Sequence, residues 1–227
     1  MISKTRKIVD SFLLVIVAIS ALFVGQCYLT VQDSKDCNVL LEYNKKVVTI
    51  FGKSEVEAMG SGVLISSDGW ILTAGHCLRD SYNLRVTLPD GQSYKVDEYL
   101  VPKDPNVDFG LIKLPINVNK FRPLSDSNNV SGWIYAIGTS NGVWDAEFHY
   151  GTVYNPNFKR RAFNDCQYIL AKMVVQHGCS GGGVYKYGRL IGIVVIIPDN
   201  GGTLIVPSSV VKSLRDTCET KKVVWKE

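Results

Sequence analysis

Short apolar runs separated by turn signals fill the chain after residue 45, and this spacing most restricts the folds that are available. Such runs, bounded by Gly, Pro, Asn or Asp, are typical of β-strands. No alternation of strands and helices occurs, which excludes an α/β fold. The predicted strands are Lys46–Phe51, Gly62–Ile65, Trp70–Ala74, Leu84–Leu88, Ser93–Leu100, Phe109–Leu114, Trp133–Gly138, Phe148–Tyr154, Tyr168–Val175, Gly183–Tyr187, Arg189–Ile197 and Thr203–Pro207.

The strands fall into two groups around a polar connector. About six lie in residues 46–114 and about six in 133–207, while 115–132 between them holds an Asn/Ser cluster. One later segment, 208–217, has apolar residues at helical spacing. This organisation predicts an all-β chain of two six-stranded antiparallel β-barrels followed by a C-terminal helix.

The amino-terminal segment 1–32 has the charge pattern of an export signal. Lys4, Arg6 and Lys7 precede an uncharged, mainly apolar stretch over 11–32. As a helix that stretch is long enough to cross about 30 Å of hydrocarbon. Basic residues on its amino-terminal side predict a cytoplasmic amino terminus. We therefore expect the membrane as a partner and the rest of the chain outside the cytoplasm, periplasmic or extracellular.

Three kinds of segment fit this pattern. A signal anchor would stay in the membrane, whereas a cleaved signal peptide would release a secreted protein. Cleavage needs small residues at the exit, and Val24-Gly-Gln26 is a poor site. A lipoprotein signal would end at Cys27, but Gln26 stands where a small residue is expected. In each case we expect 33–45 to link the segment to a folded domain at 46–227.

Charge and cysteine content exclude several classes of function. The net charge is only +4, and part of it lies in the amino-terminal segment, so no dense basic patch remains for nucleic acid. Of six cysteines, Cys27 lies at the membrane end, which leaves an odd number and predicts at least one free thiol. No C-x-x-C pair is present, which argues against a zinc site. We expect neither a metal nor another cofactor.

A serine lies among glycines in Gly178-Cys-Ser-Gly-Gly182. Glycine permits backbone conformations that let two N–H groups converge on one point, and such a pair can hold an oxyanion. A Gly-rich hairpin turn is the plain alternative. The motif also fits the nucleophile elbow of α/β-hydrolases, but those enzymes need a histidine after the serine. His76, His149 and His177 all precede it.

His76 stands in a second motif. A serine nucleophile needs an imidazole to take its proton and a carboxylate behind that imidazole. Thr73-Ala-Gly-His-Cys77 follows an apolar run, which places His76 where a strand ends. The pentapeptide resembles the T-A-[AG]-H-C signature of trypsin-like serine peptidases, the chymotrypsin-fold family. The preceding residues 60–65 resemble the strand that leads into it in that family.

The third motif is Asp108-Phe-Gly-Leu-Ile-Lys-Leu114, an acidic residue before an apolar run. It resembles the setting of the triad aspartate in trypsin-like peptidases. Asp-Phe-Gly is also a kinase tripeptide, but no Gly-rich nucleotide loop and no H-R-D accompany it. The chain order His76, Asp108, Ser180 is that of the chymotrypsin fold.

The resemblance covers residues 46–217 and implies a serine endopeptidase that acts on proteins or peptides through an acyl-enzyme. Ser180 would be the nucleophile, with its own N–H and that of Gly178 as the oxyanion hole. His76 would be the general acid–base and Asp108 would orient it. Among trypsin-like peptidases the chain is most similar to HtrA-like catalytic domains, without a PDZ domain after the nucleophile.

Three positions depart from the family pattern. Cys179 stands where digestive members have an aspartate that pairs with an amino terminus freed by zymogen cleavage. Gly183 replaces the usual proline after Ser-Gly-Gly. Gly60 stands where Cys77 would have its disulfide partner, so Cys77 is expected to be free. The first two departures motivate an alternative, a weak or inactive peptidase-like module that binds peptides without cutting them.

The resemblance also suggests a specificity pocket. It places Val174 at the base of the S1 pocket and Val195 and Ile197 on its wall. None of these side chains offers a charge to an Arg or Lys of the substrate, whose desolvation would cost several kcal/mol. An uncharged, apolar P1 residue is therefore expected.

Overall fold

The computed structural model describes residues 2–49, 52–127, 130–140, 146–159, 166–196 and 202–226. The chain divides into two units, Met1–Asp33 and Ser34–Glu227. A short 3₁₀-helix, Arg215–Thr217, precedes the last strand. In chain order the other elements are α1 (Ile2–Lys35), β1 (Asn38–Thr49), β2 (Gly52–Leu64), β3 (Trp70–Thr73), α2 (Gly75–Leu78), β4 (Ser81–Thr87), β5 (Ser93–Lys95), β6 (Glu98–Pro102), β7 (Gly110–Lys113), β8 (Trp133–Gly138), β9 (Glu147–Lys159), β10 (Gln167–Met173), β11 (Gly183–Lys186), β12 (Arg189–Ile196), β13 (Thr203–Pro207), α3 (Ser208–Leu214) and β14 (Cys218–Lys222).

The amino-terminal segment is helical as α1, from Ile2 to Lys35. Within the described ranges, no helix is both long enough and apolar enough to span a membrane. β1 begins at Asn38, so the segment 33–45, which we expected to be a linker, holds the first part of a strand.

The first sheet is an open half-barrel and not the closed six-stranded barrel expected over 46–114. Among the described residues it has eight strands, in the order β14-β6-β7-β3-β2-β1-β4-β5. The strand expected over 93–100 is divided into β5 and β6. β14 comes from the far end of the chain and pairs with β6, with Cys218 opposite Pro102. It escaped prediction because it is a polar edge strand with no apolar alternation.

The second sheet confirms the closed barrel predicted over 133–207. Its six described strands follow one another around the barrel in the order β10-β13-β12-β11-β8-β9. β8 and β13 have the predicted bounds. The connector 115–132 forms no strand in its described part. The helix predicted over 208–217 is present as α3 and the 3₁₀-helix that follows it.

The burial of β3 shows how the core positions the turn that carries His76. Ile71 and Leu72 are adjacent, point to opposite faces, and are both 0% exposed. Each buried side chain of this size stabilises the fold by roughly 1.5–3 kcal/mol. β3 pairs with β2 on one side and with β7 on the other, so it is held in the middle of the half-barrel. The turn that follows β3 therefore starts from a rigid point.

Candidate active site

The pairing of β3 with β7 brings His76 and Asp108 together. The strands are antiparallel, with Thr73 at the end of β3 opposite Gly110 at the start of β7. His76 follows β3 and Asp108 precedes β7, so both lie at the same edge. Gly75 permits the close approach, because a Cβ there would lie 3.1 Å from Oδ1 of Asp108 and 2.8 Å from a backbone carbonyl.

Both carboxylate oxygens of Asp108 bind His76. Nδ1 of His76 lies 2.8 Å from Oδ2, and the backbone N–H of His76 donates to Oδ1 at 2.7 Å. Arg79 lies 3.8 Å from Oδ1 and donates to the carbonyl of Val107 at 2.9 Å. Asp108 is 7% exposed, whereas 41% of the His76 side chain is exposed. With Nδ1 donating to the carboxylate, Nε2 is left as the acceptor of the His76 side chain, which lines a cleft.

The environment of His76 changes its basicity. Burial lowers the pKa of this imidazole, but the hydrogen bond and charge of Asp108, together with the interaction with Cys77, raise it above its ordinary value of 6.5. The physical cause is that a carboxylate against Nδ1 stabilises the imidazolium form. The pair is thus arranged to hold a proton that His76 has just accepted.

The loop around Ser180 has a backbone that only glycine allows. Gly178 has φ 99° and Gly181 has φ 87°. A Cβ at Gly181 would lie 2.0 Å from the carbonyl oxygen of Ser61. The N–H of Gly181 donates a hydrogen bond to the carbonyl oxygen of Val194 at 2.7 Å. In the described part of the chain, no backbone carbonyl accepts from the N–H of Gly178 or of Ser180, and two such donors on one loop can stabilise an oxyanion.

Ser61 on β2 holds this loop, although sequence reasoning did not select it. Its N–H donates to the carbonyl of Ser180 at 2.7 Å, and its Oγ donates to the carbonyl of Gly178 at 2.8 Å. The N–H of Thr139 donates to the same Oγ at 2.8 Å. The hydroxyl of Thr73 donates to the Ser61 carbonyl at 2.7 Å. The one available sequence signal was a serine between two glycines in an apolar strand.

The structure places all three predicted catalytic residues on one cleft of about 570 Å³. His76, Asp108 and Ser180 line it together. The other lining residues are Lys45, Arg79, Asp80, Pro105, Asn106, Val175, Gln176, His177, Val194 and Val195. Within the described ranges, no group of three or more His, Cys, Asp or Glu side chains is arranged to hold a metal ion.

The structure corrects one of the three specificity residues. Val174 is 83% exposed and lines a separate surface depression beside Tyr150, so its placement at the base of the cleft was wrong. Val175 is 4% exposed and lines the cleft instead, because a shift of one residue in extended chain moves a side chain to the opposite face. Val195 does line the cleft, and Ile197 lies outside the described residues.

Comparison with known proteins agrees with this geometry. The family model for the trypsin-like peptidase domain matches residues 60–193. The chain belongs to this family. A probable periplasmic serine endoprotease, DegP-like, of Pseudomonas fulva (strain 12-X) is 31% identical over 173 residues, which cover 71% of this chain and 35% of that protein. A probable periplasmic serine endoprotease, DegP-like, of Chlamydia trachomatis is 28% identical over 166 residues, which cover 69% of this chain and 33% of that protein.

Solved structures show the same fold. The HtrA-type protease AlgW with decapeptide has a TM-score of 0.69 and 21% identity, with 83% of this chain and 66% of that chain covered. The serine endoprotease from Yersinia pestis has a TM-score of 0.64 and 20% identity, with 82% of this chain and 64% of that chain covered. The resemblance to HtrA-like trypsin-like peptidases is therefore confirmed. The chain spans about a third of the length of the curated relatives described above.

Two departures from the family pattern have structural explanations. Tyr185 is fully buried, and its hydroxyl would lie 2.4 Å from a Cβ at position 183, so Gly183 provides the room that this tyrosine occupies. Burial raises the pKa of Tyr185 well above its ordinary value. Cys77 is free, as expected, and its Sγ would lie 2.9 Å from a Cβ at Gly60. Gly183 thus leaves space for the side chain of Tyr185, and Gly60 leaves space for that of Cys77.

Proposed function

We propose that this protein is a serine endopeptidase whose catalytic residues are His76, Asp108 and Ser180. The observation that carries the proposal is the pair formed by Nδ1 of His76 and Oδ2 of Asp108, 2.8 Å apart, on the cleft that Ser180 also lines. A base oriented by a carboxylate beside a hydroxyl is the arrangement that acyl transfer requires.

The reaction follows from this arrangement. Oγ of Ser180 attacks the scissile carbonyl carbon while Nε2 of His76 accepts the hydroxyl proton. The oxyanion that forms accepts hydrogen bonds from the N–H groups of Gly178 and Ser180. His76 then protonates the leaving amine, which yields an acyl-enzyme. Water repeats the sequence, releases the acid and restores the free serine, so no cofactor takes part.

The cleft supports a preference for an uncharged, apolar P1 residue. Val175, Val194 and Val195 form an apolar part of a lining that also holds the carboxylates of Asp80 and Asp108, and we propose that the P1 side chain packs on the three valines. Burying the charge of a substrate Arg or Lys there without a partner costs several kcal/mol. A library of peptides that vary at P1 tests this preference, with cleavage after Arg or Lys as the contrary result.

Covalent labelling distinguishes a peptidase from a module that only binds peptides. A fluorophosphonate probe should label the full chain at Ser180, and Ser180→Ala should abolish the label. The labelled peptide identified by mass spectrometry must contain Ser180. A folded wild-type chain that binds peptides but neither cuts them nor takes the label would support the binding module instead.

We extend the proposal to location. The relatives are named as periplasmic endoproteases, and Lys4, Arg6 and Lys7 precede the uncharged stretch over 11–32. This charge distribution supports a membrane anchor with the catalytic domain outside the cytoplasm. Protease treatment of spheroplasts that express the full chain should degrade the catalytic domain. Its protection until the membrane is lysed would contradict the orientation.

A further inference from the structure

The side chain of Cys179, the residue before the nucleophile, contacts a histidine of the closed barrel. It is 1% exposed, and its Sγ lies 3.3 Å from Nε2 of His149. His149 lies on β9, opposite Ala136 of β8, and its side chain is 9% exposed. Oε2 of Glu147 lies 3.8 Å from the same Nε2. A buried sulfur–imidazole contact therefore joins β9 to the loop that carries Ser180.

The thiol in this contact retains its proton. Burial has the largest effect and raises the pKa of Cys179; a hydrogen bond with the backbone of Gln176 lowers it, and the charge of Glu147 adds a smaller rise. A thiol is a weak hydrogen-bond donor, and a neutral imidazole nitrogen is an acceptor within its reach. The contact is thus a thiol–imidazole hydrogen bond, in contrast to the ion pair that an aspartate forms at this position in digestive peptidases.

The backbone around Cys179 connects this contact to the oxyanion hole. The carbonyl of Cys179 accepts a hydrogen bond from the N–H of Gly182 at 2.9 Å. The N–H of Cys179 donates to the carbonyl of Gln176 at 3.2 Å. The peptide plane between Cys179 and Ser180 carries both the Cys179 carbonyl and the Ser180 N–H. Cys179 also packs on β8, because a Cβ at Gly138 would lie 2.9 Å from its Cα. Holding the Cys179 side chain therefore holds the direction of the Ser180 N–H.

We propose that His149, through its contact with Cys179, is a positioning residue for the oxyanion loop. This inference rests on the proposed function, because an oxyanion loop matters only if Ser180 reacts. The contact replaces the ion pair to a cleaved amino terminus, so the loop is ordered without zymogen processing. His149 touches no reacting atom, and its effect reaches the chemistry through the Cys179–Ser180 peptide plane.

Variants of His149 in the full chain test the proposal. His149→Leu removes the nitrogen, whereas the amide of His149→Gln reaches the position of Nε2. Because a neutral hydrogen bond makes a modest net contribution, His149→Leu should lower kcat and the rate of fluorophosphonate labelling about tenfold, with KM unchanged. His149→Gln should recover most of both rates. Thermal unfolding of each variant confirms that the measured protein is folded.

The other end of the contact gives an independent comparison. Cys179→Ala should lower kcat as His149→Leu does, Cys179→Ser should recover part of it, and the double variant should be no worse than either single one. If His149→Leu fails to fold, the two Cys179 variants still decide the question. An unchanged kcat in folded His149→Leu, equal losses in the Leu and Gln variants, or a change in KM alone would overturn the proposal. An inactive, unlabelled wild type would instead overturn the proposed function.

Discussion

The half-barrel and the closed barrel hold the proposed catalytic groups by different kinds of interaction. In the half-barrel, two charge-assisted hydrogen bonds join His76 to Asp108 across neighbouring strands. In the closed barrel, the Ser180 loop is held by neutral hydrogen bonds, two of which come from Ser61 of the half-barrel. Charge-assisted bonds are roughly twice as strong as neutral ones. The proposed proton relay of His76 and Asp108 is thus formed by neighbouring strands of one sheet, whereas the Ser180 loop depends on hydrogen bonds between the two sheets.

The largest effect should follow the removal of one reacting group from either region. Ser180→Ala and His76→Ala should each lower kcat about 10⁶-fold, because groups that act as a unit are lost together. The two single variants should therefore be equally impaired, although His76 follows a strand of the half-barrel and Ser180 precedes a strand of the closed barrel. Initial rates on a peptide substrate measure this, and thermal unfolding serves as the control. More than a few per cent of activity in folded Ser180→Ala would contradict the assignment.

The local relay is tested at its carboxylate. Asp108→Asn keeps the shape of the side chain but removes the charge and favours the wrong tautomer of His76, so kcat should fall about 10⁴-fold. Glu98→Gln is a matched control, because its carboxylate is exposed and pairs with Lys222. That control should retain full activity. Equal activities of the two variants would show that Asp108 does not serve His76.

The same pair determines the pH dependence. The pKa of His76 is raised above 6.5, so the neutral imidazole that catalysis needs becomes the major form only at a pH above this raised pKa. kcat/KM should therefore rise with pH, with a midpoint above 6.5. Because Asp108 contributes to the rise, Asp108→Asn should move the midpoint down by about one pH unit or more. A flat wild-type profile between about pH 5 and 8 would contradict a histidine base.

A crosslink within the half-barrel tests whether its rigidity can be increased. A Cβ at Gly60 would lie 2.9 Å from Sγ and 3.6 Å from Cβ of Cys77, within the range that a disulfide needs. Gly60→Cys should therefore form a disulfide under oxidising conditions and stabilise the fold by about 3 kcal/mol. Denaturant unfolding with and without reductant measures the gain. Gly60→Ser is the control, and a thiol assay that finds Cys77 still free in Gly60→Cys would contradict the geometry.

The contact between the sheets is tested by Ser61→Ala, with the smallest expected effect. Loss of its hydroxyl leaves the carbonyl of Gly178 without that donor, so kcat should fall about tenfold with little change in KM. Ser213→Ala is the matched control, since the exposed Ser213 hydroxyl donates to the carbonyl of Val210 within α3. If both variants kept full kcat, the loop would not depend on the half-barrel.

Some strands could be predicted from the sequence at their observed bounds, whereas the first part of β1 and the polar edge strand β14 could not. β8 and β13 were found at their predicted bounds, because several of their side chains enter the core of the closed barrel. β14 was missed, since its edge position leaves Lys221 and Lys222 exposed. Val174 was misplaced because the direction of one side chain depends on the register of the loop after β10.

The family and the closed barrel could be predicted from the amino-acid sequence, because they depend on local motifs and apolar periodicity, and the same motifs predicted His76, Asp108 and Ser180 as the catalytic residues. The tertiary structure decided which side of the loop after β10 faces the cleft, and it left the first sheet open. It also decided that Ser61 and His149 contact the Ser180 loop, at 2.8 Å to Gly178 and 3.3 Å to Cys179. Such contacts join residues far apart in the chain, and no local pattern encodes the distance between them.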